Sequence, residues 1–124
     1  MKNEMSDDER IRRGLDLFKK VHGDAVAPIK PGKGAYSDMA LRNIYNDVWG
    51  REIMSIRDRR LAVIGALAAM SLWNSLEKHL LSALDLKELT WEELEELTIA
   101  LSPYIGAPRT GDFTELVLRL KARK

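Results

Sequence analysis

Apolar residues recur at helical spacing along most of the chain. Ile11, Leu15 and Phe18 stand three or four positions apart, as do Leu94, Leu97 and Leu101, and again Leu116 and Leu120. That period gives each segment one face to bury. Polar punctuation frames the same segments. Ser6, Ser55, Asn74, Thr90 and Asp112 each precede an acidic residue by three positions, namely Glu9, Asp58, Glu77, Glu93 and Glu115. Each pair has capping-box form, in which a short polar side chain and a carboxylate bond the free N–H groups at a helix start. Ser37 with Asp38 is a looser version. Gly23 after His22, Gly50 after Trp49, and Gly106 with Pro108 after Tyr104 supply matching stops. Together these signals predict helices near 7–22, 38–49, 56–71, 75–85, 91–104 and 112–122. No segment combines a sustained two-residue alternation with turn chemistry on both sides, so strands are not required. The pattern predicts one all-α domain over residues 1–124.

One segment departs from one-sided patterning. Leu61 to Met70 is apolar nearly all round, which predicts a central helix packed on several sides. Its small residues, Gly65, Ala66, Ala68 and Ala69, allow neighbouring helices to approach closely. It is a core helix, or a core helix that is also a subunit interface. A bundle this small with such a helix has much apolar surface to cover, which predicts a homo-oligomer. The connection from Gly23 to Ser37 is long and holds Pro28, Pro31, Gly32 and Gly34. Loops of that length cover pockets or reach neighbours. Its Pro31-Gly32-Lys33-Gly34 stretch lacks the preceding strand and the full spacing of a phosphate-cradling loop.

Composition narrows the function classes. The 124 residues are 45% hydrophobic and 31% charged, as in a folded globular protein. Twenty basic against nineteen acidic residues leave a formal charge of +1, which gives no support to nucleic acid as a partner. The absence of cysteine removes disulfides, thiolate metal sites and thiol catalysis together. The longest apolar stretch, Leu61 to Trp73, is too short to span a bilayer, so no membrane partner is expected. No apolar region follows the charged start Met1-Lys2-Asn3-Glu4, and the reading is a soluble cytoplasmic protein. Two distant histidines, with no His-x-x-x-His or Glu-x-x-His pattern, predict no metal site.

His79 is the first candidate for chemistry, because its charge is the easiest to change near neutral pH. It lies in the apolar helical run Asn74–Leu84, one turn after Ser75. Were 56–85 one unbroken helix, residues 57 and 79 would stand about 33 Å apart. The Asn74–Glu77 signal instead predicts a break near Ser71–Asn74. Ser75 and His79 then fall in the first turn and a half of a new helix, where the dipole favours an anion and lowers the His79 pKa. The alternative is a core histidine that satisfies its hydrogen bonds. Arg57, Arg59 and Arg60, with Arg51 nearby, oppose the dipole of a first helical turn and need compensation. Either they bind substrate carboxylates, or they form intersubunit ion pairs or a solvated rim. Trp49 and Tyr104 end helices and either line a pocket or anchor the core. A Ser75–His79 nucleophilic pair lacks an acidic third member. His22, just before Gly23, reads as a partner for a helix carboxyl end.

The order of these signals resembles the carboxymuconolactone decarboxylase family. The likeness runs through Glu9-Arg10-Ile11-Arg12-Arg13-Gly14-Leu15, Asn46-Asp47-Val48-Trp49-Gly50 and Arg57-Asp58-Arg59-Arg60-Leu61. It continues through Leu76-Glu77-Lys78-His79-Leu80-Leu81-Ser82-Ala83-Leu84, Thr90-Trp91-Glu92-Glu93-Leu94 and Tyr104-Ile105-Gly106-Ala107-Pro108. The resemblance implies the alkylhydroperoxidase D-like fold, a bundle of about six helices assembled as trimers or hexamers. The family's peroxidase branch carries C-x-x-C-x-x-x-H with an upstream acid. Aligning its histidine on His79 puts the cysteine positions at Leu72 and Ser75 and the acid near Arg60, so a peroxidase label would lack its redox chemistry. The cysteine-free branch implies a cofactor-free carboxy-lyase, or a related lyase or isomerase, of aromatic compound catabolism. Its substrate would be a small carboxylated lactone or oxo acid. His79 would be the acid/base, with Ser75, Trp49, Tyr104, Arg57 and Arg59 as substrate contacts. The competing expectation is a non-catalytic oligomeric binding or scaffold protein that keeps the fold. The turn Asp85-Leu86-Lys87-Glu88-Leu89 lacks the glycine common there in the family.

Overall fold

A computed structural model describes residues 4–123; Met1–Asn3, part of the charged start considered above, lie outside the described residues. The chain is all-helical: α1 (Asp7–His22), α2 (Ala35–Met39), α3 (Ile56–Ala69), α4 (Trp73–Asp85), α5 (Trp91–Ile105) and α6 (Ala107–Ala122). Helix α2 runs without a break into a π-helical segment, Ala40–Trp49. Among the described residues there is no strand.

Local signals set several boundaries. Ser6 and Thr90 cap α1 and α5 as full capping boxes with Glu9 and Glu93. Ser55 accepts from the Asp58 amide at the start of α3. Gly23 and Gly106, at φ 57° and 88°, end α1 and α5. Two expected caps do not form. Helix α4 starts at Trp73 after Leu72, so Asn74 lies inside it. Helix α6 starts at Ala107, with Pro108 in its first turn, which leaves Asp112 and Glu115 inside. In both cases the preceding stop decides, because the chain turns immediately and the next helix begins at once. Asp38 also departs from expectation: its carboxylate accepts from the Gly32 amide and ties the long loop to α2.

The break between α3 and α4 is a Schellman-type cap. Ser71 sits at φ 59°, its amide bonds Ala68 O, and the Leu72 amide bonds Leu67 O. The same motif ends α4. There Lys87 holds φ 59°, its amide bonds Leu84 O, and the Glu88 amide bonds Ala83 O. A serine and a lysine thus occupy positions where glycine would be relaxed.

The apolar interior falls into two parts. Helices α3 to α6 enclose one cluster, which includes Ile64, Leu76, Leu80, Leu94, Phe113 and Leu116. Helix α1 packs chiefly on the π segment, burying Phe18, Val21, Leu41 and Trp49. The two approach closely at Gly14. A β-carbon there would stand 1.9 Å from the carbonyl oxygen of Leu41 and 2.6 Å from its carbon. Helix α3 is less enclosed than its composition predicts. Arg60, Ile64 and Ala68 are buried, whereas Ala62, Ala66, Ala69 and Met70 face outward.

Replacing Gly14 by alanine forces backbone against backbone and is expected to cost about 3 kcal/mol, the upper range for an overpacked core. Urea unfolding measures it; an unchanged midpoint would mean that α1 does not pack this closely on the π segment.

Candidate functional site

The N-terminal pair meets the four-helix cluster across a polar seam, and Arg60 lies at its centre. This arginine is 0% exposed. Its Nε donates to Glu88 Oε1 at 2.5 Å and Nη2 reaches Glu88 Oε2 at 3.2 Å, while Nη2 also donates to the Val21 carbonyl. Nη1 lies 3.1 Å from His79 Nδ1. A buried guanidinium needs this many acceptors, because desolvating an unpaired charge is prohibitive. Val21 belongs to α1, His79 to α4 and Glu88 to the turn after α4, so one side chain of α3 fixes three elements.

The bond to Arg60 also assigns the His79 ring. Guanidinium only donates, so Nδ1 must accept and the proton of the neutral ring sits on Nε2. Nε2 makes no hydrogen bond to any described residue and is not among the fully buried unpartnered atoms; the residue is partly exposed. The Trp49 indole stacks on the imidazole at 5.8 Å and 20°, and the guanidinium carbon of Arg60 lies 5.8 Å from the same indole. Burial first, and the Arg60 charge second, lower the His79 pKa to about 4. The expected direction holds, but its cause is not the helix end. His79 is the seventh residue of α4, beyond the first turn where the dipole acts.

His22 has more than a dipole role. It is buried, with its ring centroid 5.1 Å from that of His79. The Ser82 hydroxyl donates to Lys78 O at 2.7 Å, so it accepts from His22 Nδ1–H, also at 2.7 Å. His22 Nε2 then accepts from the Tyr45 hydroxyl at 3.0 Å. Burial, with the nearby His79, Arg60 and Lys78 adding to it, lowers the His22 pKa to about 3; burial raises that of Tyr45 to about 12. Both imidazoles are therefore neutral at pH 7.

Of the residues singled out from the sequence, the structure brings Trp49 and His79 together. Arg57 turns to Glu88 O at 3.0 Å and to Glu93 at 3.5 Å. Arg59 bonds the Arg51 carbonyl at 3.3 Å, with its Nε buried and unpartnered. Arg57 and Arg60 thus find their compensation within the chain, in Glu93 and Glu88, whereas Arg59 meets only a carbonyl. Ser75 is exposed one turn before His79, and Tyr104 is 86% exposed at the far end of α5. Sequence reasoning missed Arg60, His22, Tyr45, Ser82 and Glu88 as members of the site. The available signal was positional: Arg60 opens an uncharged run that reaches to Leu76 and fills the place where the resemblance expects an acid facing the histidine.

Among the described residues no three His, Asp or Glu side chains converge as a metal-binding group, and no helix is long and apolar enough to cross a membrane. Compared with family models, curated proteins and solved structures, the chain finds no match.

Two outcomes check the seam. Both histidines have folded pKa values below their unfolded value near 6.5, so acid favours the unfolded chain, which binds protons first. Stability present above pH 6.5 should be lost as the pH falls toward 4, by on the order of 3 kcal/mol for each ring. Melting temperatures across that range read it, and a flat profile would contradict two buried neutral rings. Replacing Arg60 by methionine strands Glu88 and should cost about 3–5 kcal/mol. Adding Glu88→Gln should recover part of that loss in urea titrations; no recovery would mean that the pair is not coupled.

Proposed function

We propose that this chain is the protomer of a homo-oligomeric, cofactor-free lyase of the carboxymuconolactone decarboxylase type, acting on a small carboxylated lactone or oxo acid. The observation that carries this reading is the buried bond from Arg60 to His79 Nδ1. It sets the ring to present Nε2–H outward as a neutral donor, with a positive charge behind it. Loss of carbon dioxide breaks a carbon–carbon bond and leaves its electron pair delocalised onto a substrate carbonyl. A preorganised donor aimed at that oxygen lowers the barrier, and the carbanionic carbon then takes a proton from water. His79 acts here as an oxyanion donor rather than an exchanging acid/base, because its only lone pair on nitrogen faces Arg60. Trp49 holds the ring in plane. The outward apolar side of α3, with Met70 58% exposed, supports a further copy closing over the protomer.

A second reading, an oligomeric binding or scaffold protein without catalysis, is favoured by one observation. The surface depressions described are lined by residues other than His79, and Arg57, Arg59, Ser75 and Tyr104 do not face it. A thermal-shift screen with small lactone and oxo acids, followed by carbon dioxide assay of the hits, separates the two. Under the lyase reading, His79→Phe should lower kcat about 100-fold, as removal of one oxyanion donor does, while the protein stays folded by circular dichroism. Unchanged turnover would reject the role of His79, and stabilising ligands without carbon dioxide release would establish the binding reading.

A further inference from the structure

Away from His79, a groove of ≈ 860 Å³ opens where the end of α4, the turn into α5 and the last turn of α6 meet. Leu84, Leu89, Leu120 and Trp91 line it. Leu89 and Leu120 belong to the buried core and the other two pack against it, so the floor is an open edge of the hydrophobic interior. The polar groups at its rim are mostly committed. Thr90 accepts from the Glu93 amide, Asp85 accepts from the Asp24 amide, and Arg123 pairs with Glu77 at 3.1 Å. Lys87 alone among the charged rim residues has a side chain with no hydrogen bond or ion pair to any described residue.

Lys87 is also the residue held at φ 59° in the cap of α4. Glycine would occupy that position without strain, whereas the lysine there sets a cation beside the carboxyl end of α4. Strain kept in a non-glycine residue beside a cavity is a pointer to use. The cap places Lys87 among the residues that line the groove.

We propose that this groove binds a small amphipathic carboxylate, with its apolar body on Leu84, Leu89, Leu120 and Trp91 and its single charge on Lys87. The volume is that of a small-molecule site, and its lining is apolar with a few polar groups at the edge. Among the described lining residues Lys87 is the one cation without a partner, which favours a monoanion over a phosphate or a dicarboxylate. The inference is independent of any reaction at His79.

Amide and indole NMR titration of the full chain with octanoate, octan-1-ol and octylamine tests it. Octanoate should shift the Trp91 indole and the amides of Leu84, Lys87 and Leu89 saturably, about tenfold more tightly than octan-1-ol, with octylamine weakest. Lys87→Gly relaxes the cap, so it should melt at or above the temperature of the parent while its octanoate affinity falls to that of the alcohol. Lys87→Gln, which keeps the side-chain length, should behave likewise toward octanoate. Equal affinity for octanoate and octan-1-ol in the parent, or shifts located elsewhere, would overturn the proposal. So would groove shifts that follow protein concentration alone, which would make a second copy the occupant.

Discussion

A positive charge removed entirely from water is the constraint around which this molecule is arranged. Arg60 cannot be buried alone, so the fold must bring it acceptors, and it draws them from three directions: the end of α1, the middle of α4 and the turn that follows α4. Each acceptor is thereby placed. Glu88 is held in a cap that fixes the entry to α5, and His79 is held in one tautomer. The N-terminal pair has an apolar interior of its own and shares little of it with the four-helix cluster. Polar geometry sets how the two parts sit. A buried ion pair need not add net stability over an apolar substitute, but it penalises every arrangement that leaves the charge unpaired.

Around that charge the titratable groups are ordered by burial. His22 lies deepest, bonded at both nitrogens by Ser82 and Tyr45, whereas one nitrogen of His79 has no partner among the described residues. The two rings are close enough that protonating either would place a second cation beside Arg60. Neutral imidazoles are thus part of the packing at pH 7.

Much of the helical framework is legible from short-range chemistry. The ends of α1 were predicted to the residue, because Ser6, Glu9 and Gly23 act within one turn of them. Asn74 and Asp112 misled because a cap signal has force only where the chain is not already helical, and the stops at Ser71 and Gly106 started each next helix earlier. His79 stood out as a titratable group in an apolar run. Arg60 did not stand out from Arg57 and Arg59, since its burial depends on α1 and α4 closing over it. The all-round apolar character of α3 was visible, yet the single chain covers one side of it. The π segment left no trace in the sequence, whose spacing over 38–49 reads as an ordinary helix.

That widened turn makes chain length in the second helix as constrained as composition. Residues 40–49 carry both the phenol of Tyr45 and the indole of Trp49 to the seam. Losing one residue there, at unchanged winding, would swing everything beyond the gap by roughly 80–100° around the axis. The phenol and the indole could not then both meet their imidazoles. Substitutions can be absorbed along this stretch, but a change of count cannot.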